Sequence, residues 1–443
     1  MKFLISDIIE QTGAKLLYSE NTEGEYELCT DTRKLKKDNI YLPLRGENYD
    51  GHNFIDKALQ NGAAGYFTQD AHKINKKAKF VLHVKNTLVA YLQLAKFCRE
   101  KIDPKVVAIT GSSGKTTVKE MLFCVLDTTF NTHKSQLNHN NEIGLCETML
   151  AMPEDTEAAV VEMGMRNLGE IQLLSNYCLP NFAIITNVGS AHVEKLGTLK
   201  NIAAAKCEIE SGLDGEGLLV AQNAELIREK LKARVKTIYT SFEDAVNVKI
   251  SLGSSKFTFE GDDYEIRLEG EHNIENAIQV IIIAKKLGVE VSAIKRGLLN
   301  FKPIEKRWEI THIGDRTYIN DSYNANPESM QAVIKTFLSV YEPPKVLVLG
   351  DMLELGKDEI KYHKDMGEFL SGYDNVKLFT YGDLAKYISR NTTIEARHFD
   401  DKKELARYLV ECCEPKMNVL FKASRSMKFE EIIDMIVKMG YSK

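Results

Sequence analysis

The chain has 443 residues, 44% of them hydrophobic and 27% charged, with 58 basic against 63 acidic side chains and a net charge of −5. That balance excludes a dedicated nucleic-acid binder, which carries a basic surplus. No apolar run approaches the roughly 20 residues that cross a bilayer, so no membrane insertion is expected.

At about 100–200 residues per domain, the length predicts two to four domains. Residues 1–85 read as a small α/β domain. The start, MKFLISDIIEQTGAKL, has acids at Asp7 and Glu10 and no small-residue cleavage site, so it reads as a short amphipathic helix rather than an export signal. NIYLPL alternates as a strand, RGENYDGHN is rich in turn residues, and FIDKALQNGAAG is a helix closed by glycine. Eight cysteines are irregularly spaced and form no CxxC pair. They read as reduced core thiols rather than zinc ligands, and a cytoplasmic location is expected.

Residues 86–303 open with the helix TLVAYLQLAKFCREKI. KVVAIT, EAAVVEM and NFAIITNV are continuous apolar strands, separated by helical patterns such as TLKNIAAAKCEIESGL. That alternation implies a parallel sheet covered on both faces. VNVKISL, SKFTFEG and YEIRLEG follow as antiparallel strands, then the helix HNIENAIQVIIIAKKLG. Residues 304–443 repeat a βα rhythm around RTYIND, KVLVLGD, VKLFTYG and NVLFKAS, without a GxGxxG turn. A doubly wound sheet is expected there, with no dinucleotide site, and Asp321, Asp351 and Lys422 are expected near a crevice at the carboxyl ends of its strands.

AITGSSGKTTVKEM joins the strand KVVAIT to a helix. It is a shortened phosphate-binding loop: Ile109 stands where the usual GxxxxGK[ST] pattern begins with glycine. Thr110, Gly111, Ser112, Ser113, Gly114, Lys115, Thr116 and Thr117 are therefore the candidate triphosphate contacts. Loop N–H groups and the helix N-terminus suit phosphate, Lys115 suits its terminal oxygens, and the Thr116 hydroxyl suits magnesium. An ordinary glycine turn is the alternative. Glu162 ends the next strand, where a second magnesium-side carboxylate would sit. His192 follows the strand AIITNV and is either a structural imidazole or a ligand of a second metal. Lys206 lies mid-helix. It is most simply a solvated or salt-bridged surface residue, and otherwise a lysine carboxylated by carbon dioxide.

This combination resembles the Mur ligases, the ATP-dependent amide-forming enzymes of peptidoglycan assembly, over essentially the whole length. The resemblance implies three domains: a small α/β N-terminal domain, a central P-loop parallel-sheet ATPase domain and a C-terminal Rossmann-like doubly wound domain. It implies ATP and two magnesium ions, with Thr116, Glu162, His192 and carboxylated Lys206 as metal ligands and Lys115, Lys206 and His192 in catalysis. GEHNIENA then supplies Asn276 for the adenine, KRWE supplies Arg307 for the phosphates, and NDSYNANP supplies Asp321 for the ribose. Asp31, Thr32, Arg33 and Gly46 become contacts of a uridine diphosphate. LNHNNEIG, VEMGMRNLGEI, DSYNANPESM, LVLGDMLELG and SRSM are similar to the member that joins D-alanyl-D-alanine to UDP-N-acetylmuramoyl-tripeptide. They make Asn138, Asn324, Asn326 and Ser424 dipeptide or ATP-side contacts. A monomer is expected. Two departures stand out: GLCETML lacks a proline after its glycine, and Ala423 replaces a usual glycine. A sister ligase adding the third stem-peptide residue, a folate polyglutamylating enzyme, an uncoupled P-loop ATPase and a non-catalytic nucleotide-binding regulator are the rivals.

Overall fold

The computed structural model describes residues 1–440 apart from 47, 73, 137, 138, 233, 304, 305, 412 and 413. The expected substrate residue Asn138 and the cysteines Cys412 and Cys413 lie outside the described residues, as does the start of the expected third domain.

The first section holds a five-stranded sheet in the order Lys15–Ser19, Phe80–His83, Gly65–Thr68, Ile40–Tyr41, Leu28–Cys29. Only the first pairing is antiparallel. The amphipathic helix expected at the start spans Ile5–Thr12 and buries Ile5 and Ile8. Its core is continuous with one face of the central sheet, because helix Thr87–Ile102 buries residues such as Leu92 and Cys98 between them.

The central sheet has six strands, all parallel, in the order Thr132–Lys134, Ala158–Glu162, Lys105–Thr110, Phe182–Ile185, Leu218–Gln222, Lys236–Thr240. Burial on both faces explains why the middle strands read as unbroken apolar runs. Helices Lys115–Leu126 and Glu271–Lys286 cover the second face. The strand that feeds the glycine loop lies between the strands ending at Glu162 and Ile185, with Ile109 opposite Glu162 and Thr110 opposite Ile185. All three carboxyl ends therefore open on one crevice. The expected antiparallel strands form a separate three-stranded sheet, Val246–Ser251, Ser254–Phe259 and Asp262–Ile266.

The third section is a six-stranded sheet in the order Glu309–Ile313, Arg316–Asn320, Asn418–Lys422, Lys345–Gly350, Val376–Tyr381, Ala396–Phe399, parallel but for the first pair. Apolar clusters lie on both its faces.

Candidate active site

The strand Lys105–Thr110 ends buried, and the chain turns at Gly111 and Gly114 into the helix Lys115–Leu126. Both glycines have a steric reason. A Cβ on Gly111 would stand 1.8 Å from Thr186 Oγ1. One on Gly114, at φ +79, would press on the Asn276 amide at 3.0 Å. The loop is stitched to the neighbouring strand end. Ser113 N–H donates to Asn187 Oδ1 at 2.9 Å, and Ser112 Oγ bonds both the carbonyl and the N–H of Gly189. The first N–H groups of the helix have no intrahelical partner and present partial positive charge to the cleft. Lys115 Nζ donates to the Gly111 carbonyl at 2.8 Å. Burial lowers its pKa and Arg307 lowers it further, while Glu162 opposes both.

Thr116 is the convergence point. Its Oγ1 donates to Glu162 Oε2 at 3.0 Å and accepts from Arg307 Nη2 at 3.1 Å. Arg307 also lies 3.9 Å over the Tyr323 ring. Its neighbours Lys306 and Trp308 both have positive φ, so the segment that delivers it is strained on either side. Glu162 is buried, and its other oxygen accepts from Asn140 Nδ2 at 3.2 Å. Burial disfavours its charge, but Lys115, Lys119, the Asn140 amide and Arg307 outweigh that and hold the carboxyl below its ordinary range. Lys119 is fully buried beside Glu120 and Glu162, at 3.3 and 3.7 Å. Lys119 and Asn140 are functional candidates that the sequence reading passed over. Asn140 lies within LNHNNEIG, but nothing local says that its amide meets a carboxylate.

A cleft of about 480 Å³ gathers Ser112 through Thr117 with Glu162, His192, Asn276, Arg307, Asp321, Asn324 and Asn326. Gln222 and Glu275 line it too, unforeseen. Asp321 is already engaged: its carboxylate accepts from Trp308 N–H and pairs with the buried Lys422. Asn326 caps the helix Pro327–Val340. Thr110 is wholly buried beneath the loop.

Other expectations need correction. Lys206 is not a surface residue: it is 2% exposed. Burial pushes its pKa well below the ordinary value and Lys115 pushes it further. The helix Leu199–Cys207 buries Ile202, Ala203, Ala205 and Cys207 as well, so it has little free face to offer. Asp351 does not join Asp321 and Lys422 in the crevice. Its carboxylate accepts from the N–H groups of Leu384 and Ala385. Ser424 is buried outside the cleft lining, with its Oγ accepting from Leu353 N–H at 2.9 Å.

A second cavity of about 580 Å³ lies between the first and second sections, lined by Asp31, Gly46, Lys34, Arg45 and Tyr49 on one side and by Tyr91 and Glu147 on the other. Asp31 is held at about 2 by the Arg33 guanidinium. Arg33 itself points to solvent, and Thr32 is buried with its carbonyl bonded to Asn61. Neither lines this cavity.

The Thr116 hydroxyl and the ionised Glu162 are hard oxygen donors of the kind magnesium takes. Among the described residues, no group of three His, Cys, Asp or Glu side chains could hold a metal. A second ion beside His192 therefore needs another anionic donor. Lys206, buried beside Lys115, is not among the residues that line the cleft.

Three family models match successive parts of the chain: Mur ligase family, catalytic domain, at residues 26–105; Mur ligase middle domain at 109–284; and Mur ligase, glutamate ligase domain, at 306–425. The UDP-N-acetylmuramoyl-tripeptide–D-alanyl-D-alanine ligase of Bacillus subtilis (strain 168) is 36% identical, covering 99% of this chain and 98% of its own. The structure of MurF from Acinetobacter baumannii superposes with a TM-score of 0.92 at 28% identity, covering 99% of each chain. MurF ligase from Thermotoga maritima, solved in complex with ADP, gives 0.86 at 26% identity, covering 94% of this chain and 98% of that one. With a phosphate loop, a buried carboxylate and an arginine from beyond the central domain meeting on one threonine, and with likeness over its whole length, this chain belongs to the Mur ligase family.

Proposed function

We propose that this protein is an ATP-dependent ligase that joins D-alanyl-D-alanine to UDP-N-acetylmuramoyl-tripeptide, giving the UDP-N-acetylmuramoyl-pentapeptide precursor of peptidoglycan, ADP and phosphate. One observation carries the reading: Thr116, Glu162 and Arg307 meet in a cleft built to hold a triphosphate, in a chain 36% identical from end to end to a ligase of that name. The tripeptide carboxylate attacks the γ-phosphate of ATP, ADP leaves, and an acyl phosphate forms. The dipeptide amine then attacks the carbonyl, and the tetrahedral intermediate collapses to amide and phosphate.

Carboxylate and triphosphate repel, and the residues answer that. Lys115 and the helix N-terminal N–H groups draw charge from the transferring phosphoryl group. Arg307 closes on the same phosphates from the third domain. Thr116 and Glu162 would hold one magnesium ion, and His192, carboxylated Lys206 and Glu162 a second. Bound there, the ions neutralise phosphate charge. Thr110 supports the loop from below. Asn276 and Asp321 face the nucleoside, and Asn324 and Asn326 the dipeptide side. Asp31 and Gly46 line the uridine-diphosphate cavity with Thr32 and Arg33 flanking it. Ser424 acts indirectly, by ordering the loop at Leu353.

The domains run 1–85, 86–303 and 304–443, and the protein works as a cytoplasmic monomer. Closure of the three domains over the cleft seals the site, because an acyl phosphate hydrolyses in water. No helix among the described residues is long and apolar enough to cross a membrane.

The test is phosphate release from ATP and magnesium with UDP-N-acetylmuramoyl-tripeptide, with and without D-alanyl-D-alanine. Release that needs both, with the pentapeptide nucleotide in equal amount, is expected. Release indifferent to both would return the chain to an uncoupled ATPase. Release that needs another amino acid would move it to a sister step.

A further inference from the structure

One pair of side chains crosses from the third section to the second, and Glu354, its third-section member, has no role in the chemistry above. His192 Nδ1 lies 2.7 Å from Glu354 Oε2. A carboxylate only accepts, so the imidazole donates from Nδ1, and Nε2 is left for the cleft that His192 lines. Both residues are non-glycine at positive φ, +66 for His192 and +63 for Glu354. Such strain persists where the surroundings over-determine it.

The surroundings do so on each side. Below Glu354, Met352 N–H donates to the buried His363, Leu353 N–H donates to Ser424 Oγ, and Ser424 N–H donates to the Asp351 carbonyl. Below His192, Ser112 fixes Gly189, and Ser190 donates both N–H and O–H to Glu328. Glu194 N–H reaches the Glu354 carbonyl at 3.1 Å. Glu354 is otherwise 58% exposed. A polar contact so open to water adds little to stability, which leaves the strain unexplained by folding alone.

We propose that Glu354 is a positioning residue for His192: it fixes the imidazole tautomer and aims Nε2 into the cleft, and it can do so only while the third section is docked. Histidines that ligate metals commonly donate their other N–H to a carboxylate, and loss of that partner weakens the metal by 10–100-fold. Here the partner comes from another domain. Cation binding at His192 and domain docking are therefore linked, each strengthening the other. This rests on the reading above that His192 meets a metal. Glu328 is the natural comparison, since it ties the same loop without touching the imidazole.

The experiment measures Mn²⁺ affinity of the full chain by electron paramagnetic resonance, with a non-hydrolysable ATP analogue present. Imidazole ¹⁵N shifts and small-angle scattering are recorded on the same samples. His192 is assigned by its loss in His192→Ala. Glu354→Ala is expected to weaken Mn²⁺ about tenfold or more, move His192 from the Nδ1–H toward the Nε2–H tautomer, and cost nothing further in the His192→Ala background. Glu354→Gln keeps an acceptor oxygen and should retain most of the affinity and the tautomer. Glu328→Ala should loosen compaction and leave the tautomer unchanged. Wild-type Mn²⁺ affinity and wild-type His192 shifts in Glu354→Ala would overturn the proposal. So would an effect no different from that of Glu328→Ala. Mn²⁺ binding indifferent to His192→Ala would instead overturn the metal reading beneath it.

Discussion

Thr116 Oγ1 donates to Glu162 Oε2 at 3.0 Å across 46 residues of chain, and the same oxygen accepts from Arg307 at 3.1 Å. One hydroxyl thus joins the phosphate loop, the end of a neighbouring strand and the start of the third section. Thr116→Ala or Glu162→Gln should lower kcat by about 10²–10³-fold, the scale of losing one preorganised charge-stabilising group. Both should raise the magnesium concentration giving half-maximal phosphate release. A magnesium titration of each variant checks this; unchanged half-saturation would remove the residue from the ion's surroundings.

Lys206 is buried beside Lys115, and burial pushes its pKa well down, which favours the uncharged amine that carbon dioxide adds to. A carbamate resonance should appear on labelling with ¹³C-bicarbonate and vanish in Lys206→Ala. Activity lost in that variant, by about 10²-fold on the same scale, should return in part with formate or acetate. Full activity in Lys206→Ala would take the residue out of the site.

Arg307 stacks on Tyr323 while bonding Thr116. A lysine there keeps the charge but loses the planar fork and the stacking. Arg307→Lys should therefore raise the KM for ATP and lower kcat, each by roughly tenfold for a loss of about 1.4 kcal/mol. Steady-state kinetics decide, and wild-type values in Arg307→Lys would show that charge alone is enough.

Asp321 pairs with Lys422, whose side chain is 4% exposed. Asp321→Ala leaves that ammonium buried and uncompensated, a change that costs about 3–5 kcal/mol. The melting temperature should fall clearly, and Asp321→Ala/Lys422→Met should recover much of it. A melting temperature that ignores Asp321→Ala would contradict the pairing.

Burial raises Glu275 to about 7; the Gln222 amide opposes this, and Glu243 and Asp244 add to it. Between an ordinary carboxyl value near 4.5 and about 7 the folded protein holds a proton that the unfolded chain releases. Stability from this group is therefore present at low pH and lost as pH rises through that window. Glu275→Gln should match the wild type near pH 4.5 and be more stable by roughly 1–3 kcal/mol at pH 8. Thermal melts of both proteins at the two pH values test the sign.

The sequence was most informative where the physics is local. KVVAIT and NFAIITNV read as buried parallel strands because both faces of the central sheet are covered. The loop at Gly111 and Gly114 was legible because only glycine fits those backbone positions. Edge strands were not legible. EITHI and ARHF carry polar residues through half-exposed positions, and neither stands out from a loop.

What the sequence alone determined is the three-part α/β plan, the phosphate loop, and which side chains could serve a ligase: Lys115, Thr116, Glu162, His192, Lys206 and Arg307. What only the tertiary structure decided is which of them meet and what their surroundings make of them. It brought Arg307 onto Thr116 and set Asn140 and Lys119 against Glu162. It buried Lys206 next to a cation and turned Glu354 toward His192 from another domain. It also drew Asp351 and Ser424 away into loop support. The reason is physical. A side chain's charge, tautomer and donor partners depend on groups within a few ångströms, and here those groups come from distant parts of the chain, through close packing that no local pattern encodes.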